Sequence, residues 1–336
     1  MNKFNSPSMI PSKILECIEL PTSKGCELEQ RGDSLFVPET EENFPFLAGV
    51  PSLLLPKNGE GNDISNNVKK FYEENPFPNY EGLEDFGELV NKGSENLFSS
   101  QLLEAIGFNK LVLECGCGTG QLSHYLQLNN NNVLGIDMSL SSLKLAIDHK
   151  IRNGLMRSSF IQMNMFDLAI KDECFDVVIA HGCLHHTFDA RRAFAQIVKK
   201  LKPGGIIIAG LYNRYARIPT FLRSKLIRIF GPKIDYVVRK KILDKHKADT
   251  WIKDQYFNPH ETWHSIDEVL KWFSENDIDY LNVSPAILGT KGETAASMFS
   301  ETDSGTWYQR LVTQLSWINT IAREGGLFDV IGRRKG

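Results

Sequence analysis

Apolar and polar positions follow two rhythms along the middle of the chain. Five short runs are predominantly apolar: KLVLECG, NVLGIDMS, SFIQMNMF, FDVVIAHG and GIIIAGLY, between Lys110 and Tyr212. A strand buried on both faces shows no alternation, so such runs predict a parallel sheet covered on both sides. The segments between them keep a helical rhythm. One runs from Gln121 to about Gln127, and a second from the N-cap Ser139 to Lys150. A third, ARRAFAQIVKKLKPGG, is predicted to stop at Pro203 and Gly204. After residue 256 the rhythm returns with SIDEVLKWFSEND, where Ser265 and Glu268 have capping-box spacing. DYLNVSPAI then reads as a strand, Thr306–Arg323 as a long helix and GLFDVIGRRK as a closing strand. The predicted fold class is α/β, a doubly wound, mostly parallel sheet.

Three stretches fall outside this pattern. Residues 1–60 are rich in turn formers and predict a small β or irregular appendage, ending in the hairpin-like FPFLAGVPSLLL and a polar linker, Lys57–Asp63. Residues 61–110 predict helices over Ile64–Glu74 and Glu88–Ile106, joined by ENPFPNY, where Pro76 and Pro78 force an extended turn. The main domain is assigned to 111–336, with a basic helical insertion at 213–256. There IPTFLRSKLIRIF sets Ile218, Phe221, Leu222, Ile229 and Phe230 roughly on one face, as for a lid helix packed over a site.

Composition changes the picture only by exclusion. A net charge of −3 over 336 residues is not that of a general polyanion binder. No apolar run nears the roughly 20 residues of a membrane span, and MNKFNSPSMIPSK lacks the apolar middle of a secretory signal. Six cysteines in a chain of this length do not form a disulfide framework. A cytoplasmic location is the expectation.

The chemistry concentrates in LECGCGTGQ, Leu113–Gln121. Gly116, Gly118 and Gly120 follow a buried strand and open a helix, where glycine permits a tight turn and close approach of a ligand to backbone N–H groups. Asp137 ends the next strand, placed to accept hydrogen bonds from ribose hydroxyls. A dinucleotide fingerprint needs glycine at position 121, and the chain has Gln121. Glu114, at the head of the loop, suits an ammonium group or holds the loop itself. A pyrophosphate would gain nothing from it. Together these residues favour adenosine with an amino-acid tail, S-adenosylmethionine.

LECGCGTG, GIDMS, FDVVIAHGCLHHTFD and AFAQIVKKLKPGG, spread over Leu111–Leu211, resemble the core of the class I S-adenosylmethionine-dependent methyltransferases, especially the branch that includes quinone-biosynthesis enzymes. The resemblance implies a seven-stranded, Rossmann-like sheet. It implies Glu114, Gly116, Gly118 and Gly120 along the methionine half of the cofactor, Asp137 on the ribose and Met138 against the adenine. The family's usual aspartate before the adenine contact is Asn164 here, whose oxygen can still accept from the adenine amino group. Met165 follows as a backbone contact, and His181 is expected beside the cofactor.

Other residues are weaker signals. Residues 12–56 resemble a small zinc-ribbon-like module, but only Cys17 and Cys26 of its two cysteine pairs remain, so a metal-free remnant is expected. Cys115 and Cys117 are read as loop filler, and no metal site is expected. His185 and His260 are candidate general bases. Tyr72, Tyr212, Tyr256 and His260 are candidate substrate-facing residues, and the turn Asn75–Tyr80 should lie beside the cofactor. The expected reaction is methyl transfer to a small molecule, giving S-adenosylhomocysteine. Alternatives are an RNA acceptor or a membrane surface met through 213–247, and a non-catalytic cofactor-binding partner protein. The acceptor and the oligomeric state are not fixed by the sequence.

Overall fold

Val112, Leu113, Val133, Leu134, Ile136, Val178 and Ile179 are fully buried side by side, and they form the middle of a seven-stranded sheet. The computed structural model describes residues 9–54, 61–80, 82, 83, 85–239, 245–289 and 298–336. Helix α1 (Ser12–Leu15) precedes a small antiparallel sheet of β1 (Glu29–Gln30), β2 (Ser34–Val37) and β3 (Glu42–Pro45). Helices α2 (Asn62–Glu74), α3 (Phe86–Glu95) and α4 (Leu97–Ile106) lead into the main sheet. There follow β4 (Leu111–Cys115), α5 (Gln121–Leu126), β5 (Asn132–Asp137), α6 (Leu140–Arg152), β6 (Ser158–Gln162), β7 (Phe175–His181), α7 (Ala190–Val198) and β8 (Leu201–Tyr212). The chain continues through α8 (Ile218–Phe230), α9 (Tyr236–Arg239), α10 (Lys245–Phe257), α11 (Ile266–Glu275), β9 (Ile278–Ser284), α12 (Trp307–Ser316) and β10 (Leu327–Arg334).

Strand order in the large sheet is β6-β5-β4-β7-β8-β10-β9. Strands β4 to β8 are parallel, and β10 runs antiparallel between β8 and β9. From β4 the chain builds outward first through β5 and then, on the other side, through β7. A cleft opens at the carboxyl ends of the strands where such a sheet changes direction.

Local chemistry moves several predicted boundaries. The single helix expected over Glu88–Ile106 is two, because Asn96 takes an extended conformation and caps α4 by accepting from the Ser99 N–H at 2.9 Å. Helix α7 ends at Val198, and Pro203 and Gly204 lie inside β8, where the pairing with β7 shifts register. The Ser265 side chain accepts from the Glu268 N–H, but the Glu268 carboxylate turns away to His264 at 2.9 Å and Arg214 at 3.1 Å. The reciprocal half of that capping box is therefore missing. The long helix expected from Thr306 ends at Ser316, and Thr306 and Gln309 form a complete capping box.

Residues 10–54 are not a separate core. Ile14, Ile18, Leu20, Leu35, Val37 and Leu53 belong to the same buried cluster as Leu113, Ile136 and Val178. Leu53 N–H donates to Gln162 O at 2.9 Å and Gln162 N–H to Pro51 O at 2.8 Å, which attaches the appendage to the β6 edge. The Cys17 thiol is free and donates to the Lys13 carbonyl at 3.4 Å. The expected polar linker Lys57–Asp63 lies largely outside the described residues.

Helix α5 carries a fully buried histidine. His124 Nε2 lies 3.1 Å from the Ala146 carbonyl and Nδ1 2.9 Å from the Ser158 hydroxyl. Burial, with His149 nearby, pushes its pKa down from 6.5 to about 3. Between those values the unfolded chain binds a proton that the folded chain refuses, so stability falls as pH drops from about 6.5 towards 3. Urea titrations at pH 7 and pH 5 should show this loss, and His124→Asn should shrink the difference.

Candidate active site

The loop after β4 is shaped by three glycines at φ +68°, +52° and +75°, a region side chains rarely adopt. Each close approach has a different neighbour. A Cβ on Gly118 would lie 2.2 Å from the Phe77 carbonyl oxygen, and one on Gly116 would lie 2.4 Å from Cys183 Cβ. One on Gly120 would lie 2.4 Å from the Phe160 ring, so Gly120 serves the packing of the loop on β6. The turn Asn75–Tyr80 is strapped to this loop. Tyr80 OH donates to Thr119 O at 2.7 Å, Thr119 OH to Pro78 O at 2.5 Å and Gln121 Nε2 to Asn79 O at 2.7 Å.

Beside the loop lies a cavity of about 500 Å³. Glu114, Gly116, Gly118, Asp137, Met138, Asn164, Met165 and His181 line it, as do Tyr72, His186, Tyr212, Trp251, Asp254 and Gln255. The Asp137 carboxylate accepts from Gly118 N–H at 2.9 Å and Ser139 N–H at 2.8 Å, and burial nevertheless raises its pKa. Glu114 is enclosed, with the Ser123 hydroxyl as donor, and burial pushes its pKa up to about 7. Asn164 Oδ1 accepts from Phe166 N–H at 3.0 Å, which leaves a second lone pair on that oxygen.

His181 is set by the sheet itself. Its Nδ1 lies 2.7 Å from Asp329 Oδ1, and between the two strands runs β8 with Gly210 in register with both residues. A Cβ there would sit 2.5 Å from Asp329 Oδ1 and 2.8 Å from His181 Nδ1. Burial lowers the His181 pKa, the Asp329 carboxylate raises it more, and the net direction is up. Phe98 stacks on the other side of the ring at 4.2 Å.

Helix α2 is clamped to the start of α6. The Glu73 carboxylate accepts from Leu140 N–H at 2.6 Å, Ser141 N–H at 2.9 Å and the Ser141 hydroxyl at 2.5 Å. Burial raises the Glu73 pKa, but these donors outweigh it and hold it below the usual range. Carboxylate at a helix N-terminus is the favourable polarity. The clamp holds Tyr72, the preceding residue, over the cavity.

The cap opposite is held by Arg217, which is fully buried. Its guanidinium donates to both Glu261 oxygens at 3.1 and 2.6 Å, to Gln255 Oε1 at 2.7 Å, to Gln255 O at 2.9 Å and to Gly325 O at 3.0 Å. It also lies 3.7 Å from the Tyr212 ring centroid. This anchoring directs Trp251, Asp254 and Gln255, one face of α10, at the cavity.

The expected site residues do not all meet. Tyr256 is one position off that helical face, and its hydroxyl donates to Asp235 at 2.5 Å in a separate cluster with Ile227 and Ile252. His185 is buried 3.9 Å from the Tyr212 ring centroid, off the cavity wall, and burial holds its pKa well below 6.5. His260 is also off the wall, though its carbonyl accepts from His186 Nδ1 at 2.8 Å. That bond leaves His186 Nε2 buried and without a hydrogen-bond partner among the described residues, and burial lowers the pKa. Of His185, His186 and His260, His186 lines the cavity, beside His181. The Trp251/Asp254/Gln255 group was also missed, and its i, i+3, i+4 spacing was the available signal.

Helix α8 departs most from expectation. Ile218, Phe221, Leu222, Ile229 and Phe230 are exposed, Ile229 by 73% and Phe230 by 70%, while Thr220 and Ile227 face inward. The helix does not cover the cavity. Lys240 and Lys241 of the insertion lie outside the described residues. Among the described residues no helix is long and apolar enough to cross a membrane.

Residues 113–209 match the family model described as a methyltransferase domain. Residues 113–209 thus carry a methyltransferase domain, built on the strand order and glycine loop described above. A ubiquinone biosynthesis O-methyltransferase of Pasteurella multocida is 32% identical over 168 residues, 47% of this chain and 64% of that protein. An uncharacterised protein of Synechococcus is 23% identical over 273 residues, 72% of this chain and 63% of that protein. The chain thus spans a little over three-fifths of the length of these relatives. A solved phosphoethanolamine N-methyltransferase of Haemonchus contortus is similar at 12% identity and a TM-score of 0.46, over 80% of this chain and 60% of that one.

Removing one member of a buried ion pair costs about 3–5 kcal/mol. Arg217→Met should therefore destabilise the chain by roughly that amount in urea titration, through the stranded Glu261 and two orphaned carbonyls.

Proposed function

We propose that this chain transfers a methyl group from S-adenosylmethionine to a small molecule, with the cavity holding both. The observation that carries the reading is the pairing, across one cavity, of an enclosed glycine loop flanked by Glu114 and Asp137 with a wall of aromatic and polar cap residues. The residues fit the cofactor. Asp137 has lone pairs for ribose hydroxyls, Met138 an apolar surface for adenine, and Asn164 Oδ1 a free acceptor position for the adenine amino group. Glu114, enclosed and carrying a raised pKa, is a group that an ammonium would stabilise.

The bound cofactor supplies an electrophilic sulfonium methyl. The chain's task is to orient the acceptor in line with it and to exclude water. Tyr72, Tyr212 and Trp251 line the cavity with His186, whose neutral imidazole is the proposed base for the acceptor. Isothermal calorimetry should detect S-adenosylmethionine binding, and Asp137→Ala should weaken it about ten- to hundredfold. Labelled cofactor with a small-molecule extract should give a labelled product, and His186→Ala should slow turnover by about 10²-fold or more. Silence in both measurements would sink the reading.

The Glu114 pKa of about 7 gives a pH test. An ammonium favours the carboxylate, so below pH 7 binding must displace a proton and weakens. Affinity should tighten about tenfold from pH 6 to pH 8, and Glu114→Gln should flatten the profile.

A second reading is favoured by α8. We infer that this helix rests on an anionic membrane surface. Its exposed Ile229 and Phe230 are accompanied by Lys225 and Arg228, and its sequence IPTFLRSKLIRIF contains no acid. Co-sedimentation with phosphatidylglycerol vesicles, but not phosphatidylcholine vesicles, is expected, and Ile229→Ser with Phe230→Ser should abolish it. Equal binding to both vesicles, or preferential binding to RNA, would rule this out.

A further inference from the structure

We propose that the acceptor is a protonated amine, held by the Asp254 carboxylate between aromatic side chains. This rests on the methyltransferase reading and names its substrate class.

Asp254 is 6% exposed and lines the cavity from α10. Its oxygens accept from the Tyr72 hydroxyl at 3.0 Å and from Gln255 Nε2 at 3.2 Å, both neutral donors. Among the described residues no lysine or arginine forms an ion pair with it. Arg217, in the same cap, commits its charge to Glu261 at 2.6 Å. Lys69, a cation on the cavity wall, lies in the field of Glu73. Buried carboxylates are ordinarily matched by a cation. Arg217 lies within its field but is hydrogen-bonded to Glu261, so an entering cation would supply the direct counter-charge that Asp254 lacks among the described residues.

The walls suit the same ligand. Tyr72 and Trp251 line the cavity together with Asp254, and an ammonium gains from aromatic rings as well as from the carboxylate. A phenolate or phosphate acceptor would meet like charge instead.

The proton balance also closes. The ammonium gives one proton to His186 Nε2, whose other ring nitrogen is held by the His260 carbonyl. The freed nitrogen lone pair forms the N–C bond while the C–S bond breaks with its electron pair on sulfur. The product leaves as the methylated ammonium, and His186 returns its proton to solvent.

Calorimetry on the full chain saturated with S-adenosylhomocysteine tests this, using phenethylamine against 2-phenylethanol at pH 7.5. The amine should bind at least about tenfold more tightly. Asp254→Asn should remove that preference while the affinity for S-adenosylhomocysteine stays within about twofold, and Tyr72→Phe should keep the preference. Equal affinities, no binding of either probe, or a preference that survives Asp254→Asn overturns the proposal. Failure of the wild-type chain to bind S-adenosylhomocysteine overturns the methyltransferase reading itself.

Discussion

A cation without access to water holds the cap of this molecule together. Arg217 sits at the start of α8, yet its partners come from α10, from the loop leading to α11 and from the turn before β10. A buried guanidinium has five donors to satisfy, and leaving them unmatched would cost more than the packing around it returns. The geometry is therefore all or nothing: where Arg217 is satisfied, residues 255, 261 and 325 are fixed, and the face of α10 that carries Trp251 and Asp254 is fixed with them. The carboxyl edge of a parallel sheet is open by construction. The cap turns it into an enclosed site.

Enclosure then governs the electrostatics. The same burial raises the pKa of Glu114 and Asp137 and lowers that of His186. Acids are pushed towards their neutral form and the histidine towards its basic form, each the less charged state. Such a cavity holds charge poorly unless a ligand brings its complement. A ligand that carries an ammonium would relieve Glu114 and Asp137, whose charged forms this enclosure disfavours.

How much of this was legible depends on the range of the interaction responsible. The five apolar runs, the glycine loop, Asp137 and the Ser139 cap are set by residues within a few positions of each other, and they were read correctly as elements. Where a distant partner decided, the reading failed. The Glu268 side chain abandons its capping box for His264 and Arg214. Tyr256, chosen as substrate-facing from its neighbourhood in sequence, loses that role because α10 is rotated to present residues 251, 254 and 255. The apolar stripe on α8 was real, but a stripe does not say what covers it. His185 and His186 are adjacent and chemically identical; only the bond from His186 Nδ1 to the His260 carbonyl, across 74 positions, separates them.

The closing strand illustrates why fold and site cannot be treated apart. β10 is antiparallel in an otherwise parallel neighbourhood, and a sheet could be completed by many apolar sequences in its place. What distinguishes this one is Asp329, 5% exposed in a strand whose other inward residues are Phe328, Val330 and Ile331. A buried carboxylate in a sheet interior is costly unless paired. Its partner, His181, lies two strands away, within reach only because Gly210 removes the side chain that would stand between them. Three strands thus contribute one residue each to a single arrangement at the cavity. Phe98 of α4 then covers the imidazole from outside the sheet. The carboxylate fixes which nitrogen His181 presents to the cavity side, and the stacked ring fixes its plane. A larger residue at Gly210 would disturb the sheet little at the level of backbone pairing, since every strand could keep its register. It would nonetheless separate His181 from Asp329 and leave the carboxylate stranded, so at this position the glycine is required by the site and not by the strand.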